Sequence, residues 1–136
     1  MSQTEAVSQL LAAHQQVIQA HLNKDVPTWL DGEADQYLSA NRGEITYPTK
    51  TERAAMRQPY LEQTEFSEYR DLIPPIIKVS ADGTLGWVVA QVKVVGVRTM
   101  PDGQEIAFEA VWAWIELYEK IDGHWLCTGN VSNAKP

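Results

Sequence analysis

ADGTLGWVVAQVKVVGVRTMPDGQEIAFEAVWAWIELYEKIDGHW, residues 81–125, decides the architecture of this chain. Three Asp-Gly pairs stand twenty residues apart in it: Asp82-Gly83, Asp102-Gly103 and Asp122-Gly123. Asp-Gly between apolar runs is a strong hairpin signal, because Gly takes the positive φ that a tight reversal needs. The runs between them therefore read as long strands folding back on one another in an antiparallel meander, about Thr84–Arg98, Gln104–Lys120 and His124–Asn133.

A register follows if each turn is a three-residue loop with Gly at the left-handed position. Met100 then pairs with Gln104, and Lys120 with His124. Side chains alternate along a strand, so odd residues share one face throughout and even residues the other. The odd face carries Trp87, Val89, Gln91, Lys93, Glu109, Val111, Ile115 and Trp125. The even face carries Val88, Val92, Val94, Phe108, Trp112, Trp114 and Tyr118. Both faces are apolar. Three helices can cover only one of them, and an uncovered face of this size marks an interface. A homodimer through Val92, Trp112 and Trp114 is the expectation.

Upstream the period changes. Val7, Leu10, Leu11, His14, Val17, Ile18, His21 and Leu22 follow the i, i+3, i+4, i+7 template and predict a helix over about Thr4–Lys24. A short helix opens at Asp25 with Pro27 in its first turn and ends near Leu30. Asp31-Gly32-Glu33-Ala34-Asp35 breaks the pattern. Short strands follow around Tyr37–Ala40 and Glu44–Tyr47. Thr49-Lys50-Thr51-Glu52 is a capping box that starts a third helix, which Pro59 limits. Tyr60–Leu72 carries no readable period. Pro74-Pro75 consigns the strand Ile76–Ser80 to an edge or a bulge.

The totals exclude several classes. At 136 residues the chain reads as a single domain, residues 1–136, with 44% hydrophobic and 21% charged residues. A net charge of -7 opposes nucleic-acid binding, which depends on neutralising phosphates. No apolar run approaches the roughly 18 residues of a membrane span. The single cysteine, Cys127, allows no internal disulfide. With a start that lacks the basic and apolar blocks of a signal peptide, it points to the cytoplasm.

No cofactor motif is present: no Gly-rich phosphate loop, nucleophile elbow or His-Glu-x-x-His. Asp31-x-Glu33-x-Asp35 resembles the start of a calcium loop, but Gln36 stands where Gly is required and Arg42 where Glu is required. His14 and His21 lie seven residues apart on one helix stripe, a rise of roughly 10 Å and too far to chelate one metal. No metal is expected.

The order of elements and two local stretches resemble the nuclear transport factor 2-like superfamily, a cone-shaped α+β fold also called cystatin-like. HLNKDVPTWLDGEADQYLSANRGEIT, residues 21–46, is similar to the opening of that family. WIELYEKIDGHWLCTGNVSN, residues 114–133, is similar to its closing hairpin. The resemblance covers nearly the whole chain and implies a curved antiparallel sheet, a half barrel, wrapped around N-terminal helices. Its relatives include ketosteroid isomerases, dehydratases, polyketide cyclases, non-catalytic binders and assembly domains, so it marks the fold rather than the activity. Many relatives carry His residues two apart on the final strand; here those positions are Gly129 and Val131, and their chemistry does not transfer. In the family the Trp after the last turn packs inside the cone, which implies that the odd face is interior.

On that reading a pocket for a small-molecule ligand lies inside the cone. Trp87, Gln91 and His14 are expected to line it, with Tyr37, Tyr60 and Tyr69 at its mouth. Lys93 and Glu109 are diagonal neighbours across two strands. Two charges on a core face are costly, a cost tolerated where a ligand must be gripped or a proton moved; the alternative is a structural ion pair at a solvated sheet end. Glu109 is then the candidate general base and Lys93 the candidate oxyanion partner of a proton-transfer isomerase or dehydratase. The rival readings are a non-catalytic ligand-binding module and a dimerisation or assembly domain with a filled cone.

Overall fold

The computed structural model describes residues 2–136. Its helices are α1 (Gln3–Leu22), α2 (Val26–Asp31) and α3 (Lys50–Glu62). Its strands are β1 (Glu33–Asn41), β2 (Glu44–Thr46), β3 (Thr64–Asp71), β4 (Ile76–Val79), β5 (Leu85–Thr99), β6 (Glu105–Ile121) and β7 (His124–Ala134). Each helix starts on a side chain that satisfies an orphan amide. Ser2 accepts from the Glu5 N–H and Asp25 from the Thr28 N–H. Thr49 and Glu52 form the expected capping box. Pro59 does not end α3. It lies within the helix, and the Gln63 N–H closes back on the Pro59 carbonyl at 2.9 Å.

One curved sheet holds all seven strands in the order β2-β1-β7-β6-β5-β3, with β4 also paired to β5. Every pairing is antiparallel except β1 with β7. The segment without readable period contains β3. β1 begins four residues before its expected start, and its first two residues, Glu33 and Ala34, are buried.

The register of β5 and β6 is the expected one: Lys93 pairs with Val111, Val95 with Glu109, and Met100 donates to Gln104. Gly83, Gly103 and Gly123 all have positive φ. The assignment of faces is reversed. Val88, Ala90, Val92, Val94, Trp114 and Tyr118 form the core under the helices. Leu85, Trp87, Ile115 and Val131 are between 39% and 51% exposed on the convex side. Even residues of β5 and β6 therefore point into the cone, and Val92, Trp112 and Trp114 are not available as a dimer surface.

The cause is local. The last hairpin has a two-residue turn, not a three-residue loop: Asp122 and Gly123 both have positive φ, 49° and 81°, as a type I′ turn requires, and Ile121 faces His124. Parity flips there, so Trp125 and Cys127 join Tyr118 inside the cone. A bulge at Thr128 then restores it, since Tyr118 pairs with Cys127 but Leu117 with Gly129. Trp125 does pack inward. It is not on the same face as Trp87.

Candidate functional site

The helices pack against the concave side of the sheet and leave a cavity of about 450 Å³ there. The topology gathers its mouth at one end. β1, β5 and β7 run in the same direction, so Arg42 after β1, Arg98 near the end of β5, and Asn130 and Ser132 near the end of β7 come together there. All four line the cavity. Asn41 ties this rim: its Oδ1 accepts from the Ser132 N–H at 3.1 Å and from the Ser132 hydroxyl at 2.6 Å.

One wall is ionic. Glu33, at the start of β1, is 3% exposed. Arg53 of α3 donates through Nε to its Oε1 at 3.0 Å. Arg57, one helical turn on, donates Nη1 to Oε1 at 2.7 Å and Nη2 to Oε2 at 3.0 Å. A buried carboxylate needs such partners, and the fork of a guanidinium supplies them in plane. Aromatic faces back the cations. Arg57 lies 4.0 Å from the centre of the Trp29 ring and Arg53 lies 4.5 Å from that of Tyr37.

His21 shares Trp29 with Arg57 and is wedged between Trp29 at 4.0 Å and Tyr69 at 4.5 Å. Its Nδ1 donates to the Val17 carbonyl at 2.8 Å, leaving Nε2 as the acceptor nitrogen. Burial first, and the Arg57 charge as well, lower its pKa from 6.5 to about 4. The imidazole is neutral near neutral pH. Burial also raises the phenol pKa values of Tyr37, Tyr60 and Tyr69, which remain protonated donors.

The floor is Glu116 of β6, 5% exposed. Trp114 Nε1 donates to its Oε1 at 3.1 Å, and the Cys127 thiol donates to its Oε2 at 3.6 Å. Burial pushes this carboxyl above the usual range, and Glu33 adds to the push, while His14 opposes it. A buried carboxyl whose proton is held more tightly than usual is a candidate acid or base. Among the described residues no group of three His, Cys, Asp or Glu side chains is arranged to hold a metal ion.

Tyr37, Tyr60 and Tyr69 line this cavity. His14 does not line it. It is fully buried behind Trp114, with Nε2 2.8 Å from Asp71 Oδ1 and Nδ1 without a partner, and His21 takes the place expected of it. Trp87, Gln91, Lys93 and Glu109 lie on the convex face. Lys93 Nζ does reach Glu109 Oε1 at 2.9 Å, but the Glu109 side chain is 65% exposed, a surface ion pair outside the cone. Trp87 borders a separate depression of about 420 Å³ beside Lys78 and Glu119. Sequence reasoning missed Glu116, Arg57 and Arg98. Glu116 and Arg98 were within reach of the same alternation, as even residues of β6 and β5.

No family model and no curated protein sequence matches the chain. Solved structures do. A ketosteroid isomerase-like protein from Erwinia carotovora atroseptica is 17% identical with a TM-score of 0.76, over 97% of this chain and 98% of that one. A protein provisionally described as a dehydratase of the NTF2-like family, from Streptomyces avermitilis, is 11% identical with a TM-score of 0.77, over 98% and 99%. A protein with a cystatin-like fold from Caulobacter vibrioides is 12% identical with a TM-score of 0.72, over 97% and 91%. Identities this low speak for the fold alone. Helices against a curved, unclosed sheet, matched end to end by these neighbours, give this chain a cystatin-like fold, the fold that these NTF2-like and ketosteroid isomerase-like structures share.

Proposed function

We propose that the chain binds a small organic molecule inside the cone and moves a proton on it, with Glu116 as the acid or base. The observation that carries this reading is a buried carboxyl of raised pKa on the floor of an aromatic cavity. Ionised, Glu116 accepts a proton from carbon next to a carbonyl; protonated, it returns that proton to a neighbouring position or to a leaving hydroxyl. Protonated Tyr60 and Tyr69 are the donors that can orient the carbonyl and steady charge on its oxygen. The ketosteroid isomerase-like and dehydratase-like neighbours support the class of chemistry. The test is exchange of α-hydrogens for deuterium, followed by NMR, in a panel of small ketones and hydroxyketones. The protein should catalyse exchange in at least one, and Glu116→Gln should abolish it while leaving binding intact. Equal exchange with both proteins removes Glu116 from the chemistry.

The second reading is a non-catalytic binding or assembly module. It is favoured by one observation: both Glu116 oxygens already have protein donors, as in a structural carboxyl. Ligand-induced stabilisation of both proteins without exchange in any compound would select it.

The expected homodimer is retained as a proposal with its face exchanged. The convex side presents Leu85, Trp87, Ile115 and Val131 as one apolar surface with the Lys93–Glu109 pair beside it, and a second copy is the occupant it fits. Among the described residues no helix is long and apolar enough to cross a membrane.

A further inference from the structure

The cavity is cationic in an acidic protein. The chain has a net charge of -7 and only five arginines. Three of them, Arg42, Arg57 and Arg98, line this one cavity, and a fourth, Arg53, stands behind Glu33. No lysine lines it. Glu33 is shared by two guanidiniums, so that cluster keeps one positive charge. Among the described residues Arg42 and Arg98 make no ion pair. Both are exposed at the rim. Arg42 is held at positive φ in the β1–β2 turn, and Arg98 lies near enough to Tyr60 to counter the upward push of burial on that phenol. Unpaired guanidiniums at the mouth of an aromatic cavity present planar donor forks to whatever enters.

Two ligand charges suit aromatic walls. A cation would stack on Trp112, Tyr60 and Tyr69, but it would face the surplus of guanidiniums. An anion with a flat apolar body satisfies both features: its body lies against the rings and its charge sits at the rim.

Resting on the reading of the cone as a small-molecule site, we infer that its ligand is an organic acid: a planar aromatic or conjugated body carrying a carboxylate that Arg42 and Arg98 hold at the mouth. Arg57, already committed to Glu33, supplies field rather than a new hydrogen bond. The body then extends inward toward Trp112 and Glu116.

The test is calorimetric titration of the full chain with three matched probes: naphthalene carboxylate, its carboxamide, and the corresponding naphthyl trimethylammonium. The carboxylate should bind at least about tenfold more tightly than the carboxamide. Arg98→Gln and Arg42→Gln should each remove most of that preference without changing carboxamide affinity. Lys93→Gln, which removes one positive charge from the convex face, should leave the preference intact. Equal affinity for acid and amide overturns the inference and leaves the cavity reading standing. Tightest binding of the ammonium probe also overturns it. A preference lost equally in Lys93→Gln reduces it to net charge and overturns the role of the rim. If no probe binds, both this inference and the small-molecule reading fail.

Discussion

Arg57 spans both oxygens of Glu33, at 2.7 and 3.0 Å, and in the same pose stacks 4.0 Å from the centre of the Trp29 ring. One side chain thus joins α3 to β1 and to α2. Lysine can supply the charge but neither the fork nor the flat stacking surface. Arg57→Lys should cost about 1–2 kcal/mol, comparable to losing a charge-assisted hydrogen bond. Glu33→Gln should cost more, about 3–5 kcal/mol, because it leaves Arg53 buried without its counter-charge. Urea unfolding of the two variants measures the order; a larger loss for Arg57→Lys contradicts it.

His21 makes the fold acid-sensitive. Its native pKa of about 4 lies below the ordinary 6.5. Between those values the unfolded chain binds a proton that the native state refuses, so stability falls as pH drops through this window. The shift is worth about 2–4 kcal/mol by pH 4 from this residue alone. His21→Phe keeps a ring between Trp29 and Tyr69 but cannot titrate. Comparing urea midpoints of the two proteins at about pH 7 and about pH 4.5, the variant should show the shallower decline. Parallel declines would show that His21 is not the sensor.

Glu116 acts with the opposite sign. Its native pKa is raised, so above the ordinary carboxyl value the native state keeps a proton that the unfolded chain has released. Stability from this residue is complete below that ordinary value and is lost as pH rises through the native one. Glu116→Gln retains an acceptor for Trp114 and removes the ionisation. It should raise the melting temperature near neutral pH while removing any proton-transfer activity. A lower melting temperature would show that the ionised carboxyl contributes to the fold.

Gly96 marks where two strands approach too closely for a side chain. A Cβ there would meet the Glu65 carbonyl oxygen at 2.6 Å and the Phe108 ring at 3.1 Å. Gly96→Ala should cost about 1–3 kcal/mol through strand displacement. Gly32→Ala meets nothing nearer than 3.9 Å and should be almost neutral. Thermal unfolding of both variants gives the comparison, and equal effects would contradict the close approach.

Trp87, 44% exposed on the convex face, is the residue on which self-association should turn. Trp87→Glu should give a monodisperse monomer in light scattering at micromolar concentration, with the parent protein running as a dimer. A monomeric parent ends the proposal. Trp114→Glu, by contrast, places a charge in the core and should unfold the protein instead of dissociating it.

The turns, the β5–β6 register and the capping box were legible because each rests on local chemistry: Gly at positive φ, alternation, and Thr with Glu three residues on. The direction of the cone was not. Both faces of β5 and β6 are apolar, so alternation alone leaves their sense open. The one external clue, an inward Trp125, transfers to Trp87 only if parity persists through the last hairpin. The two-residue turn at Asp122-Gly123 and the bulge at Thr128 each break it, and neither leaves a mark on hydrophobic period. β3 escaped notice because its burial alternates around charged residues at Glu65, Glu68 and Arg70. Glu33 was unreadable as a site residue because the arginines that make its burial tolerable come from α3, twenty and twenty-four residues later.

The parallel pairing of β1 with β7 sets the tempo of assembly. Asn41 waits for Ser132 across 91 residues, whereas Glu33 can find Arg53 across 20. On a ribosome, the helices and β1 emerge long before the strand that will flank them, and until then β1 offers an open edge to any extended chain nearby. Closing so long a loop raises the entropic barrier to folding. The cone and its cavity are therefore late products of synthesis, and a chain stalled before β7 carries the aromatic lining without the wall that encloses it.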